Sequence, residues 1–145
     1  MNPRSFLSGL DHQRIVAAIG AAEGRSRGEI RVHVSSRPVD DPERAAAALF
    51  DKLGMSATAE RNGVLIFVAP ASRRFAVVGD KGIHERCGEG FWKDVAAAME
   101  DDFRAGRFTD GIVKGVTKAG DALATHFPRT DRPDANELSD EVSED

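Results

Sequence analysis

The run Gly63–Ala69 is apolar at every position and reads Gly-Val-Leu-Ile-Phe-Val-Ala. A strand with one face in water alternates apolar and polar side chains, whereas a continuous apolar run of this length is typical of a central strand that is covered on both faces. Each covered face needs an apolar layer packed against it, and helices supply such layers in mixed folds. This run therefore predicts a layered α/β fold with helices on both sides of a sheet.

Two further strands are predicted beside this run. Residues 29–35 alternate apolar and polar side chains, as a strand with one buried face does. Arg74–Gly79 follows a short connector that contains a proline. We therefore expect Arg74–Gly79 to return as the antiparallel partner of Gly63–Ala69.

Apolar residues at helical spacing predict four helices. The first covers about residues 8–23, the second begins at residues 40–42 and ends at Gly54, and the last two are separated at Gly106. The order α-β-α-β-β-α-α predicts a three-layer α/β/α sandwich around a small mixed sheet. We assign residues 1–128 to this domain and residues 129–145 to an acidic C-terminal tail.

The composition excludes several classes of protein. A single cysteine, Cys87, rules out an intrachain disulfide framework and a zinc site built on paired cysteines. The net charge is −4, and residues 131–145 hold seven acidic residues and one arginine. The rest of the chain has 19 positive and 17 negative residues, so no clustered basic face for nucleic acid is expected. The apolar runs are far shorter than the roughly 20 residues that span a bilayer, and the first residues lack the apolar core of a signal peptide. We therefore expect a soluble cytoplasmic protein without membrane insertion.

Three polar residues from distant parts of the chain are predicted to meet at one edge of the sheet. The first two strands are joined by a helix and should run parallel, which places Glu29 and Asn62 at the same edge. The third strand runs back, so Asp80 at its end arrives there too. Carboxylate and amide oxygens suit a hard cation such as Ca²⁺ or Mg²⁺. Gly79 and Gly82 on either side of Asp80 permit the backbone conformations of a tight ligand-binding loop.

Each of these candidates also has a purely structural interpretation. Gly-Asp-Lys-Gly is ordinary turn chemistry, and Glu29 could simply cap a strand or form an ion pair with Arg61. At the opposite edge, residues 35–37 and 72–74 hold serines and arginines beyond the carboxyl ends of the parallel strands, where an anion could bind. Solvated turn residues are the simpler account of that edge.

One more group of reactive side chains follows the third strand. His84, Glu85 and Cys87 are close in sequence but lack the ligand spacing that defines a zinc site. A nucleophilic role for Cys87 needs a neighbouring base, so a buried or incidental thiol is the simpler interpretation.

The residues that predict the fold also resemble those of a known family. The resemblance covers about residues 6–128 and is carried by residues 28–33, 61–69 and 79–83, the Phe91-Trp92 pair and residues 103–111. In order and spacing they resemble the TPM domain family, named for thylakoid-lumen, photosystem-repair and acetylcholine-receptor-modulator relatives. The chain is most similar to a short, stand-alone bacterial branch of that family, whose members also end in an acidic stretch.

The resemblance implies a fold and two activities. The fold is an α/β/α sandwich, several members bind divalent cations through acidic loop residues, and acid phosphatase activity belongs to the plant branch. This chain departs from the plant pattern, because the usual Gly-aromatic-Gly-Leu-Glu run reads Gly-Asp-Lys-Gly-Ile-His-Glu at residues 79–85. The departure adds an acid at Asp80, so it favours cation binding over phosphatase activity.

The resemblance also suggests that the acidic tail docks on the domain as a strand or loop, with Leu138 and Val142 as anchors. Asp134 and Glu137 could then contribute ligands to the cation, or the tail could simply shield a sheet edge.

We therefore expect a domain that binds Ca²⁺ or Mg²⁺ in an accessory or scaffold role. The candidate metal ligands are Glu29, Asn62, Asp80, Asp134 and Glu137, and the further candidate binding residues are Arg61 and Glu85. Two alternatives stay open: a metal-dependent, acid-phosphatase-like hydrolase, and a protein partner in the assembly or repair of a membrane complex.

Overall fold

The computed structural model describes residues 1–129 and 142–145. Six helices and four strands make up this part of the chain. In chain order they are α1 (Pro3–Gly9), α2 (His12–Gly24), β1 (Glu29–Val34), α3 (Pro42–Lys52), β2 (Gly63–Ala69), β3 (Arg74–Gly79), α4 (Lys81–Cys87), α5 (Glu89–Arg104), α6 (Phe108–His126) and β4 (Ser143–Glu144). Single 3₁₀ turns lie at Met55–Ala57 and Pro70–Ser72.

The sheet is built around β2, and its strand order is β3-β2-β1-β4. β1 runs parallel to β2, β3 runs antiparallel to β2, and β4 adds to the outer edge of β1 in the parallel sense. Every residue of β2 is buried, as its unbroken apolar run predicts. The mixed sheet with parallel β1 and β2 and a returning β3 is therefore confirmed.

Each face of the sheet has its own apolar core, so the predicted three-layer α/β/α sandwich is confirmed. One core joins even-numbered strand residues such as Val32 and Ile66 to side chains of α1, α2, α4, α5 and α6. The other joins Leu65 and Phe67 to Phe50 of α3 and to Met55 in the first 3₁₀ turn. The alternation of side chains along β2 divides it between the two cores.

The helix predicted over residues 8–23 is α2, which begins after Asp11, one of the two caps that the sequence offers beside Ser8. A further short helix, α1, precedes it, and each of the two helices has its own N-terminal cap. The side chain of Asn2 accepts from the backbone of the first turn of α1, and Asp11 accepts from the N–H of Arg14. Leu10 between them is extended, with φ −79° and ψ 143°. The predicted helix is therefore confirmed with a later start, and α1 is a helix that the sequence analysis did not predict.

The prediction of a ligand-binding loop after β3 is wrong, because residues 81–87 form the helix α4. Asp80 is its N-cap, and Ile83 on its inner side is fully buried in the larger core. The helix has only seven residues, too few for the apolar periodicity that identifies longer helices. A helix, and not a ligand-binding loop, therefore follows β3.

None of the helices in residues 1–129 and 142–145 is both long enough and apolar enough to cross a bilayer.

Gly82 should tolerate no side chain, because it sits against the backbone before β2. A Cβ at this position would lie 2.2 Å from the carbonyl oxygen of Glu60 and 2.6 Å from that of Arg61. We expect Gly82→Ala to lower the free energy of unfolding by about 1–3 kcal/mol, since backbone atoms cannot move aside as a flexible side chain can. Urea denaturation measures the change.

Gly90 gives a matched control, since it is the second residue of α5 as Gly82 is of α4. No atom lies within 4 Å of a Cβ built there. Gly90→Ala should therefore raise the free energy of unfolding by about 0.4–1 kcal/mol. Equal effects of the two substitutions would contradict the packing of α4 against residues 60–61.

Candidate functional site

Three strand ends meet at one edge of the sheet, which we call the Asp80 edge and define by Glu29, Asn62 and Asp80. Glu29 is the register partner of Gly63, the residue after Asn62. The backbone N–H of Asp80 donates to the carbonyl of Gly63 at 2.8 Å. All three residues are buried: Glu29 is 3% exposed, Asn62 is 2% exposed and Asp80 is 7% exposed. The backbone thus brings them together at the edge that the topology predicts.

The Asp80 carboxylate is engaged by a guanidinium on this edge. Its two oxygens accept from Nε and an Nη of Arg61 at 2.8 and 2.9 Å, a two-point pairing. One oxygen also accepts the backbone N–H of Lys81 at 2.7 Å, which caps α4. The hydrogen bonds and charge of Asp80 raise the pKa of Arg61 above its ordinary value. Arg61 therefore pairs with Asp80, whereas the sequence analysis considered a pair of Arg61 with Glu29.

Arg61 adopts a backbone conformation that is unusual for its residue type. Its φ is 52°, in the left-handed region that favours glycine or asparagine. The glycines beside Asp80 do not have positive φ; they are required by space instead, because a Cβ on Gly79 would meet the Trp92 ring at 2.1 Å. Gly79 and Gly82 therefore allow close packing but do not adopt left-handed backbone conformations. The positive φ at this edge belongs to Arg61.

The rest of the Asp80 edge is lined by charges of both signs. The Asn62 side-chain nitrogen donates to the carbonyl of Arg27 at 3.1 Å. Arg27 in turn donates to both carboxylate oxygens of Glu60, at 2.8 and 3.0 Å. Arginines therefore balance Glu60 and Asp80, and the edge is not a concentrated acidic cluster.

Glu85 lies at the periphery of the Asp80 edge. Its carboxylate is 3.9 Å from the ammonium of Lys81, one helical turn away, and both side chains are largely exposed. Exposed pairs of this kind contribute little to stability. Glu85 and Arg61 both line a shallow cavity of about 390 Å³ outside the edge.

The remaining reactive side chains of α4 have structural surroundings. The indole N–H of Trp92 donates to Nδ1 of His84 at 3.1 Å, so that nitrogen is the acceptor. Burial raises the pKa of the Cys87 thiol, which disfavours the thiolate that a nucleophile needs.

The structure describes three of the five metal ligands predicted from the sequence: Glu29, Asn62 and Asp80. Asp134 and Glu137 lie outside the described residues. Among residues 1–129 and 142–145, no group of three or more His, Cys, Asp or Glu side chains is placed to hold a metal ion. Glu29, Asn62 and Asp80 have oxygen donors of the type that Ca²⁺ and Mg²⁺ prefer. Both oxygens of the Asp80 carboxylate, however, accept hydrogen bonds from the guanidinium of Arg61. A cation can therefore bind to Asp80 only after Arg61 has moved away from it.

At the opposite end of the sheet, the last residues of the chain place a carboxylate beyond β1. Asp145 accepts the N–H of Ser36 at 2.7 Å and the hydroxyl of Ser35 at 3.0 Å. Its nearer oxygen is 3.5 Å from Nε2 of His33, and Nδ1 of that ring is 2.9 Å from the hydroxyl of Ser143. An anionic group of the chain itself thus occupies the end of β1 where the sequence suggested that an anion could bind.

Two substitutions separate the charge of Asp80 from its role as the cap of α4. Asp80→Asn keeps an oxygen that can cap α4 but loses the charge that pairs with Arg61, whereas Asp80→Ala loses both. We expect the alanine variant to unfold with about 1 kcal/mol less free energy than the asparagine variant. Urea denaturation of both variants measures the difference.

Asp41 provides the control, because it caps α3 through the N–H of Arg44 at 3.1 Å and is not paired in this way. Asp41→Asn should be close to neutral, whereas Asp80→Asn should destabilise the protein measurably. Equal stability of these two asparagine variants would contradict a structural role for the Arg61–Asp80 pair.

Acidification should lower the free energy of unfolding in two steps, one from His33 and one from Asp145. Burial lowers the pKa of His33 below its ordinary 6.5, against the opposing effect of Asp145. The unfolded chain then binds the proton more readily, so stability is complete above pH 6.5 and falls as pH drops towards the lower folded pKa. Burial opposes ionisation of Asp145, but the Ser36 and Ser35 hydrogen bonds hold its pKa below 3.8. Its contribution is lost as pH falls below 3.8 through the folded value.

Unfolding free energies measured from pH 8 to pH 3 test this order. His33→Asn should flatten the slope below pH 6.5. Asp145→Asn should flatten the acid limb and steepen the fall below pH 6.5, because it removes the charge that opposes the lowering of the His33 pKa. If the dependence of the unfolding free energy on pH were unchanged in both variants, the assignment of the two steps to His33 and Asp145 would be contradicted.

Comparison with known proteins gives the chain a family. The TPM domain profile matches residues 1–122. The chain is similar to the solved structure of the BA42 protein from the psychrophilic bacterium Bizionia argentinensis, with 38% identity and a TM-score of 0.84 over 94% of this chain and 96% of that one.

Two more distant structures share the fold. The N-terminal domain of the cg2496 protein from Corynebacterium glutamicum is 17% identical with a TM-score of 0.59, covering 77% of this chain and 70% of that one. The N-terminal domain of a P. gingivalis protein is 22% identical with a TM-score of 0.60, covering 79% and 76%. No curated protein matches the chain. Because the family profile spans most of the sequence, the chain belongs to the TPM domain family.

Proposed function

We propose that this TPM domain binds a divalent cation, Ca²⁺ or Mg²⁺, at the Asp80 edge. The observation that carries the proposal is the meeting of Glu29, Asn62 and Asp80 at three strand ends, where all three are more than 90% buried. Carboxylate and amide oxygens are the ligands that Ca²⁺ and Mg²⁺ prefer, and a cation bound here would take its ligands from these three side chains.

Arg61 controls access to Asp80 in this proposal. Its guanidinium occupies both oxygens of the carboxylate, so a cation must displace it to bind there. The Arg61 side chain is 49% exposed while that of Asp80 is 6% exposed, so the arginine can swing into water while the carboxylate stays in place. Competition with a resident charge weakens binding, and we expect dissociation constants of roughly 10⁻⁴–10⁻³ M, the range of weak calcium modules.

A titration of the full chain with Ca²⁺ or Mg²⁺, followed by backbone amide chemical shifts, tests the proposal. The expected shifts are centred on residues 29, 61–63 and 80–82. Asp80→Asn should weaken the affinity at least tenfold, because it removes the charged ligand. Arg61→Asn should strengthen it several-fold, because it frees the carboxylate while asparagine still tolerates a positive φ.

Arg73→Asn is the matched control. Arg73 is the other arginine with a φ of 52°, and it lies at the opposite end of the sheet. The proposal expects this variant to bind cations as the unmodified chain does. Absence of any shift at 10 mM cation, or the same affinity in the Asp80→Asn and unmodified chains, would overturn it.

The same titration tests whether the carboxylates of Asp134 and Glu137 are ligands of the cation. Asp134→Asn combined with Glu137→Gln should weaken binding if these carboxylates complete the site, and should leave it unchanged if Glu29, Asn62 and Asp80 suffice. Phosphate release from a generic ester, measured on the same samples, separates simple cation binding from the alternative of a metal-dependent phosphatase. The proposal expects no release that depends on both the cation and Asp80.

A further inference from the structure

A cavity of about 480 Å³ opens at the end of the sheet opposite the Asp80 edge, where β2 ends and β3 begins. Val68 and Pro70 contribute to its lining, and α5 and the start of α6 border it. Its volume is within the range of small-molecule sites, and the carboxyl ends of parallel strands are where ligands commonly bind in open α/β sheets. The cavity is distinct from the proposed cation site.

Four phenylalanines make most of this cavity apolar. Phe75 and Phe103 pack edge to face with ring centroids 5.0 Å apart. Phe6 and Phe108 form a second tilted pair, also at 5.0 Å. Paired rings hold each other in place, so they provide a formed surface for an apolar chain or ring.

The rim of the cavity carries positive charge. Arg104 is compensated by Glu100 at 2.7 Å, one turn away on α5. Within the part of the chain that the structure describes, the side chains of Arg73 and Arg74 have neither an ion pair nor a hydrogen bond. Two guanidinium groups are thus available to an anion beside an apolar cavity.

The backbone of Arg73 indicates that its side chain matters at this position. Its φ of 52° lies in the left-handed region, where glycine or asparagine would be less strained. The only other non-glycine residue with positive φ in the described chain is Arg61, whose guanidinium holds Asp80. An arginine in a strained conformation without a partner is an indication of function at the rim of a cavity.

We propose that this cavity binds a small amphiphilic carboxylate. The apolar chain or ring lies among the phenylalanines, and the carboxylate accepts hydrogen bonds from Arg73 and Arg74. The guanidinium groups select for the anionic head, and the apolar walls select for length. Neither the cation nor the Asp80 edge takes part.

Decanoate is a suitable probe, used below its micelle concentration and followed by chemical shifts of the full chain. Residues lining the cavity should shift, and affinity should rise about fourfold for each buried methylene from hexanoate to decanoate. Decanol, which has the same chain without the charge, should bind at least tenfold more weakly. Absence of shifts at millimolar decanoate, or equal binding of decanol, would overturn the proposal.

Two variants test the head group separately from the fold. Arg73→Asn retains a residue suited to positive φ, and Arg74→Gln removes the second charge. Each should weaken decanoate binding at least fivefold while leaving the affinity for decanol unchanged. Arg61→Asn is the control, since it alters the Asp80 edge and should bind decanoate normally. Unchanged decanoate affinity in both rim variants would contradict the assigned head-group site.

Discussion

Burial of β2 on both faces is the constraint on which the rest of the structure depends. Val64, Ile66 and Val68 enter one core, while Leu65 and Phe67 enter the other. A slip of one residue would exchange these two sets and misfit both cores, so the register of β1 and β3 against β2 is strongly specified. That register sets which residues stand at each end of the sheet, and it is the reason that Glu29, Asn62 and Asp80 meet.

The two ends of the sheet then have opposite electrostatic characters. At one end the buried carboxylate of Asp80 is balanced by Arg61. At the other end the serines after β1 bind the carboxylate of Asp145, and Arg73 borders an apolar cavity. The two arginines with positive φ lie at different ends, one paired within the described chain and one facing the cavity. We therefore propose a cation at the first end, where carboxylate and amide oxygens meet, and an anion at the second.

Much of the fold could be predicted from the sequence, because its central strands are short and clearly patterned. The limits of β2 and β3 match the prediction, and both layers of helices follow from an apolar run with two buried faces. The signals for α1 were also present, since Asn2 before a proline is a typical helix start. The helix α4 was missed because seven residues show little periodicity. The Arg61–Asp80 pair was missed because it joins residues 19 positions apart through a left-handed backbone that no sequence pattern marks.

The central claim is that Arg61 holds the Asp80 carboxylate until a cation replaces it. The side-chain Nε–H of Arg61 reports on this directly, because it donates to Asp80 at 2.8 Å and we expect its exchange with water to be slower while the pair is closed. The most direct measurement is therefore the exchange rate of that proton with and without saturating Ca²⁺ in a nuclear magnetic resonance experiment. The account predicts slow exchange without the cation and fast exchange with it. Saturation of the protein by Ca²⁺ with the Arg61 proton still protected would show that the cation binds elsewhere and would contradict the account.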